Sequence, residues 1–192
     1  MAAALRADIP KPAHVNHVWS MDFVQDSLGD GRRIKTLTVV DEYTRKCHRI
    51  EVDTSINGMR VVRALNEIAV KDGLPEIIMI DNGPEFIGKA LDAWAYQRGI
   101  KLHYINPGKP VENAYIESFN GKFRDECLNE NWFMSFEHAR SVIEEWRIDY
   151  NSQRPHSSLN YMTPEEFIEK ESGIFSAGIP ADTTSTRDGY SN

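Results

Sequence analysis

Three carboxylates, Asp22, Asp81 and Glu117, stand in surroundings that pose a chemical question. Asp22 lies in "SMDFVQ", flanked by Trp19, Met21, Phe23 and Val24, the composition of a central and largely buried strand. An ionised carboxylate there costs several kcal/mol unless it is paired or binds a metal. An ion pair with a buried Arg or Lys is the structural alternative. Asp81 closes the apolar run "IIMID" and is followed by Asn82 and Gly83. Ligands gather where strands of α/β sheets end, although Asp-Asn-Gly is equally the chemistry of a plain turn. Glu117 lies in "AYIESFNGKF" near a helix start, where the helix dipole also favours an ordinary solvated glutamate. Together the three acids would supply the oxygen ligands that Mg²⁺ prefers, leaving room for waters and phosphate oxygens. Two such ions about 3.5–4 Å apart can activate an attacking hydroxyl and steady the leaving oxygen of a phosphodiester.

The elements that must position these groups are legible from patterning. "HVWSMDFVQDS", "IKTLTVVDEYT" and "KCHRIEVDT" read as three strands in close succession, the first two joined by the turn "LGDGR". A helix is expected over 57–71, with Val61, Val62, Leu65, Ile68 and Ala69 on one face, ended by Gly73 and Pro75. "EIIMID" is a short apolar run of the kind covered on both faces. "PEFIGKALDAWAYQRG" reads as a helix closed by Gly99, "IKLHYIN" as a further strand, and helices are expected from Val111 to about Leu128 and from Phe136 to Tyr150. A strand meander followed by alternating strands and helices predicts an α/β domain, a mixed sheet flanked by helices. Within the Val111–Leu128 helix, Ile116, Phe119, Phe123 and Cys127 recur at spacings of 3 and 4 and define a buried stripe. Asn113, Glu117, Asn120, Gly121 and Arg124 form the neighbouring stripe, about 100° round the helix. Packing then fixes the backbone of Glu117 while its carboxylate reaches a cleft.

The 192 residues, 41% hydrophobic and 27% charged, suit one domain with a sizeable core. It is expected over 16–171, after a flexible lead-in (1–15) and before a disordered Gly-, Ser- and Thr-rich tail (172–192). The apolar runs are too short for a membrane span, and the start lacks the form of a secretory signal. Cys47 and Cys127 form no paired motif, which favours two structural thiols and a cytoplasmic location. The net charge of −7 argues against a protein whose only task is gripping nucleic acid. It fits a site that gathers cations, with other parts of a longer protein supplying basic surface.

"SMDFVQD", "IDNGPEF", "GKPVENAYIESFNGKFRDECLNENWF" and "EWRIDYNSQRPHSSLNYMTPEEF" resemble, in this order, the catalytic core of bacterial insertion-sequence transposases. More distantly the chain is similar to retroviral integrases, which share a ribonuclease-H-like fold and an Asp-Asp-Glu triad. That family separates its second Asp from the Glu by 35 residues, and residues 82 to 116 between Asp81 and Glu117 also number 35. The resemblance covers about residues 15–170. It implies a five-stranded mixed sheet and a DNA polynucleotidyl transferase with Asp22, Asp81 and Glu117 as metal ligands. It further implies two Mg²⁺ or Mn²⁺ ions, nicking at element ends, attack of a DNA 3′-hydroxyl on another phosphodiester, and a homo-oligomer on DNA. Relatives generally carry an N-terminal helix-turn-helix region, for which this chain has no room, so an excised core or incomplete product is expected. The two-His, two-Cys zinc module of retroviral integrases is not expected, since His14 and His17 have no Cys-x-x-Cys partner.

Asn113, Asn120, Lys122 and Arg124, on or near the Glu117 helix, are candidate contacts to DNA phosphates or bases. An ordinary solvated face is the alternative. Arg154 and His156 match the family's downstream Arg-Pro-His segment and are expected to approach the cleft. A helix stop before Pro155 and a surface histidine are the bland alternatives. Lys101 and Lys109 are further phosphate candidates, and the four tryptophans are read as core. Two other functions compete: an inactive or domesticated core that binds DNA or a partner without cutting, and a ribonuclease-H-like nuclease. The intact triad argues against the first and the transposase-like motifs outside it against the second.

Overall fold

The computed structural model describes residues 11–105 and 113–173. β1 (Val18–Ser27), β2 (Arg33–Asp41) and β3 (Cys47–Asp53) form an antiparallel meander in which Asp22 lies opposite Thr38, and Thr38 opposite Ile50. β4 (Ile77–Ile80) pairs parallel with β1, and β5 (Lys101–Tyr104) parallel with β4. The sheet order is β3-β2-β1-β4-β5, so the strand carrying Asp22 is central.

Helices cover both faces, and most of those described begin or end where the sequence supplies a cap. α1 (Gly58–Asp72) starts at Asn57, whose side chain accepts from the Arg60 N–H, and stops at Gly73 with φ 87°. α2 (Lys89–Arg98) stops at Gly99 in the left-handed region. α3 (Ala114–Phe123) runs into a π-helical turn, Arg124–Leu128. α4 (Phe136–Ser152) is capped by Ser135 accepting from the His138 N–H. α5 (Pro164–Glu171) opens with a capping box between Thr163 and Glu166.

Side chains alternate across β1. Trp19 and Met21 join Leu37, Val61, Leu65 and Trp94 under α1 and α2, with Phe23 packed against that cluster. Val24 joins Ile116, Phe119, Phe123, Cys127, Trp146 and Tyr150 under α3 and α4. Asp22 shares the face of Val24 and therefore looks toward α3. Phe119 meets Tyr150 edge-on at 5.0 Å between centroids, and Phe123 lies 5.1 Å from Trp146. Each such aromatic pair contributes about 0.5–1.5 kcal/mol beyond its buried area, and together they hold α3 against the sheet. Asn151 ties the end of α4 to the start of β3, its amide bonding both the Cys47 N–H and C=O at 2.9 Å.

Several expectations need correction. The second helix begins at Lys89 rather than at Pro84, because Phe86 and Ile87 turn their N–H groups back to the Gly83 carbonyl. The 124–128 segment is π rather than α, and α5 belongs to none of the expected elements. Trp19, Trp94 and Trp146 are core, but Trp132 is exposed at 72%. Cys47 and Cys127 are free and buried, and burial pushes both thiols up to about 12. The Gly-Lys-Pro turn with Lys109, the first two residues of the expected Val111 helix, and most of the lead-in and tail lie outside the described residues.

Candidate active site

Asp22 is half-buried at the middle of β1, a milder burial than its apolar neighbours suggest. Its Oδ1 accepts from the Phe23 N–H at 2.7 Å and its Oδ2 from Asn120 Nδ2 at 2.8 Å. Among the described residues no Arg or Lys pairs with it, so the ion-pair alternative finds no support. Burial raises its pKa, the Phe23 and Asn120 hydrogen bonds oppose the rise, and the charges of Asp81 and Glu117 add to it. Two further acids thus lie within the electrostatic reach of Asp22.

Asp81 follows β4 and is exposed, its Oδ1 accepting from the Gly83 N–H at 2.8 Å. The turn chemistry foreseen for Asp-Asn-Gly is real, and it also fixes where this carboxylate points. Asn82 anchors the same turn by donating to the Ile105 carbonyl at 2.9 Å. A Cβ built on Gly83 would meet Asp81 Oδ1 at 2.8 Å, so only glycine leaves that carboxylate in place. Lys35 on β2 pairs with Glu85 and lies 4.1 Å over the Phe23 ring, bracing the turn against the sheet.

Glu117 is exposed in the first turn of α3. The stripe beside it is buried as expected, with Ile116 and Phe123 at 0%, Phe119 at 3% and Cys127 at 1% exposure. Asn120, one turn on, is the hub of a relay. Thr38 Oγ1 lies 3.0 Å from Asn120 Oδ1, and the Asn120 amide reaches Asp22. Among the described residues no three His, Cys, Asp or Glu side chains stand close enough to hold one ion at once. The three carboxylates therefore share a field without closing on a common point.

The other candidates divide. Arg124 is exposed and touches the Gln25 carbonyl at 3.4 Å, on the Asp22 side of α3. Asn113 occupies the N-cap position of α3, with no side-chain cap bond. Arg154 is held in ion pairs by Glu126 and Asp149 and stacks over Trp146. Lys122 and His156 face a pocket on the other flank of α3. Lys101 is exposed on β5, apart from this group. Thr38, Gly83 and Lys35 were missed in the sequence. Thr38 was findable by period-two alternation once its strand was paired with β1, whereas the other two depend on tertiary contacts.

A three-strand meander extended by two parallel strands, with helices on both faces, is the ribonuclease-H-like fold of integrase cores. The chain belongs to the integrase core domain family: models described as "Integrase core domain" match residues 12–110 and residues 98–164. It is 56% identical over 165 residues to an uncharacterized protein of insertion element IS407 from Burkholderia multivorans, covering 86% of this chain and 60% of the relative. It is 55% identical over 152 residues to an uncharacterized protein of insertion element IS476 from Xanthomonas euvesicatoria, covering 79% and 44% respectively. The chain thus spans about half the length of these relatives. Among solved structures it is similar to the HTLV-2 integrase catalytic core domain in complex with magnesium, with TM-score 0.61, 16% identity and coverage of 79% of this chain and 95% of that one. A simian T-cell lymphotropic virus intasome chain aligns with TM-score 0.69 and 14% identity over 92% of this chain and 60% of that one. At these identities the structural likeness concerns the fold.

Proposed function

We propose that the chain is the catalytic core of a bacterial insertion-sequence transposase that nicks DNA at element ends and transfers the resulting 3′-hydroxyls to a target phosphodiester. Asp22, Asp81 and Glu117 are the metal-binding carboxylates in this reading. The observation that carries it is the state of Asp22: half-buried, without an Arg or Lys partner among the described residues, and pushed up in pKa by burial and two neighbouring acids. Two exposed acids within the field of a half-buried one favour a cation between them, and an all-oxygen donor set suits Mg²⁺ or Mn²⁺. Two such ions, when bound, would activate the attacking hydroxyl and stabilise the leaving oxygen.

The chain's own residues do the positioning. Asn120 and the Phe23 N–H aim the Asp22 carboxylate, Gly83 aims Asp81, and the packed stripe of α3 carries Glu117. Asn120 and Arg124, on the same flank, are placed to meet the DNA backbone, with Asn113 at the helix start. Lys122, Arg154 and His156 would contact DNA farther from the triad. Joining two DNA ends calls for a multimer of the core, and the dimeric and trimeric HTLV-2 cores are solved precedents for self-association of this fold.

A strand-transfer assay of the full-length protein on the ends of its own element, with Mg²⁺ or Mn²⁺, tests the reading. Asp22→Asn, Asp81→Asn and Glu117→Gln should each fall to background while keeping the native circular dichroism spectrum. A folded triad variant with wild-type activity would overturn the assignment.

A further inference from the structure

A pocket of about 650 Å³ opens on the flank of α3 away from Glu117. Ser118 and Lys122 lie about 100° and 140° round the helix from Glu117. The remaining walls come from the β2–β3 turn at Arg45, from Tyr150 near the end of α4, and from the 155–161 loop with His156, Ser157 and Ser158. Among the described residues no Asp or Glu lines it, although the chain has 29 acids against 22 bases.

Two nitrogens in its walls are buried without a partner among the described residues. His156 is 7% exposed, and its Nε2 makes no hydrogen bond among the described residues. Arg45 Nη1 is likewise buried and unpaired, while its Nε donates to Ser158 Oγ at 3.3 Å and its guanidinium stacks 4.1 Å over Tyr115. A buried donor left without a partner costs about 1–3 kcal/mol. Left-handed backbone adds to the cost at two lining positions, Arg45 at φ 64° and Tyr161 at 62°. Such conformations cost non-glycine residues of order 1 kcal/mol each and concentrate at functional sites. The Asn151 clasp on Cys47 holds the α4 end and the Arg45 turn together, so the pocket is built rather than incidental.

We infer that this pocket binds a phosphodiester group of DNA, with Arg45, Lys122 and His156 as donors and Ser118, Ser157 and Ser158 as hydroxyl partners. The inference rests on the DNA reading of the chain but not on the triad, from which α3 separates it. A phosphate is favoured over a carboxylate because donors converge from three elements, which suits an anion with several acceptor oxygens. Room for about one nucleotide remains beside it, with Tyr161, 76% exposed, at the rim to stack on a base. His156 is held neutral by burial and by Lys122, Arg45 and Arg154; an anion among these cations would raise its proton affinity.

The test uses the isotopically labelled chain and NMR of the histidine rings. A 5′-phosphorylated dinucleotide, inorganic phosphate and an acidic hexapeptide are titrated separately. The dinucleotide should shift the His156 ring resonance saturably and raise its titration midpoint. Arg45→Gln and Lys122→Gln, checked for native spectra, should each weaken that binding about tenfold and lower the salt slope of duplex DNA binding by about one. Response to inorganic phosphate or the peptide but not to the dinucleotide would overturn the nucleic-acid assignment. No saturable response to any of them, or unchanged dinucleotide affinity in both variants, would overturn the pocket. Asp22→Asn should retain the His156 response while strand transfer is lost, which separates failure here from failure of the triad.

Discussion

Asn120 on α3 donates its side-chain N–H to Asp22 on β1 over 2.8 Å while its carbonyl end lies 3.0 Å from the Thr38 hydroxyl on β2. One amide therefore joins three elements, and the hydroxyl and carboxylate fix which end of it faces Asp22. Thr38 is fully buried, so the relay is anchored from below. Asn120→Ala should cut strand transfer at least tenfold while costing about 1–3 kcal/mol of stability, the loss of two side-chain hydrogen bonds. Thr38→Val, which leaves Asn120 in place but unanchored, should fall between that variant and wild type. Parallel assays of strand transfer and urea unfolding decide it; a Thr38→Val protein with full activity would remove the relay from the argument.

Gly83 offers a sharper separation of position from stability. A Cβ there would stand 2.8 Å from Asp81 Oδ1 and 3.3 Å from Glu85 Oε2, so Gly83→Ala must displace one or both carboxylates. Activity should drop tenfold or more, while stability should change by no more than about 0.5 kcal/mol, as for exposed turns. Gly88 makes a clean control, because it is extended and a Cβ added to it meets nothing within 4 Å. Gly88→Ala should retain wild-type activity, and equal losses in the two variants would show that Asp81's aim is not what matters.

Asp22 should trade stability for function. Its pKa is raised in the fold, chiefly by burial, so the neutral form is favoured there and ionisation destabilises the native state as pH rises through the shifted value. Asp22→Asn removes that cost and should raise the melting temperature at neutral pH. Divalent metal should act in the opposite order. Mg²⁺ or Mn²⁺ should raise the melting temperature of the wild type by relieving the same repulsion, at most weakly that of Asp22→Asn. A variant that melts lower than wild type without metal, or gains as much from it, would contradict this account.

The fold and most of the triad's setting were legible because they rest on local signals. Alternation in "SMDFVQD", the 3-and-4 spacing of Ile116, Phe119 and Phe123, and the Gly73 and Gly99 stops each depend on neighbours in sequence. The capping box of Thr163 and Glu166 was also available, yet α5 was passed over because only Phe167 and Ile168 in it suggest an apolar face. Arg45 was not legible, and Thr38 only once its strand is paired with β1. Their roles come from contacts 113 residues away to Ser158 and 82 residues away to Asn120, and no local pattern encodes such distances. The exposure of Trp132 fails for the converse reason: an aromatic side chain predicts burial only on average.

Glu42 and His156 should give opposite pH dependences that nearly hide each other. Burial raises the Glu42 carboxyl to about 7, against a Ser20 hydrogen bond and the Arg45 charge that lower it. Between the ordinary 4.5 and about 7 the unfolded chain loses this proton before the native one, so stability falls as pH rises, by up to about 3 kcal/mol. Burial, and then Lys122, Arg45 and Arg154, lower His156 from 6.5 to about 4. There the unfolded chain takes up a proton first as pH drops, so stability is lost from 6.5 down through about 4, by a similar amount. In the wild type the two slopes oppose each other between about 4.5 and 6.5. Glu42→Gln should unmask the histidine, giving a protein whose stability climbs with pH across that window and exceeds wild type at pH 8. His156→Gln should do the reverse, with stability falling as pH rises and a relative gain over wild type near pH 5. Urea unfolding of the three proteins at half-unit pH steps measures these slopes, and variant curves parallel to wild type would show that neither buried group titrates as assigned.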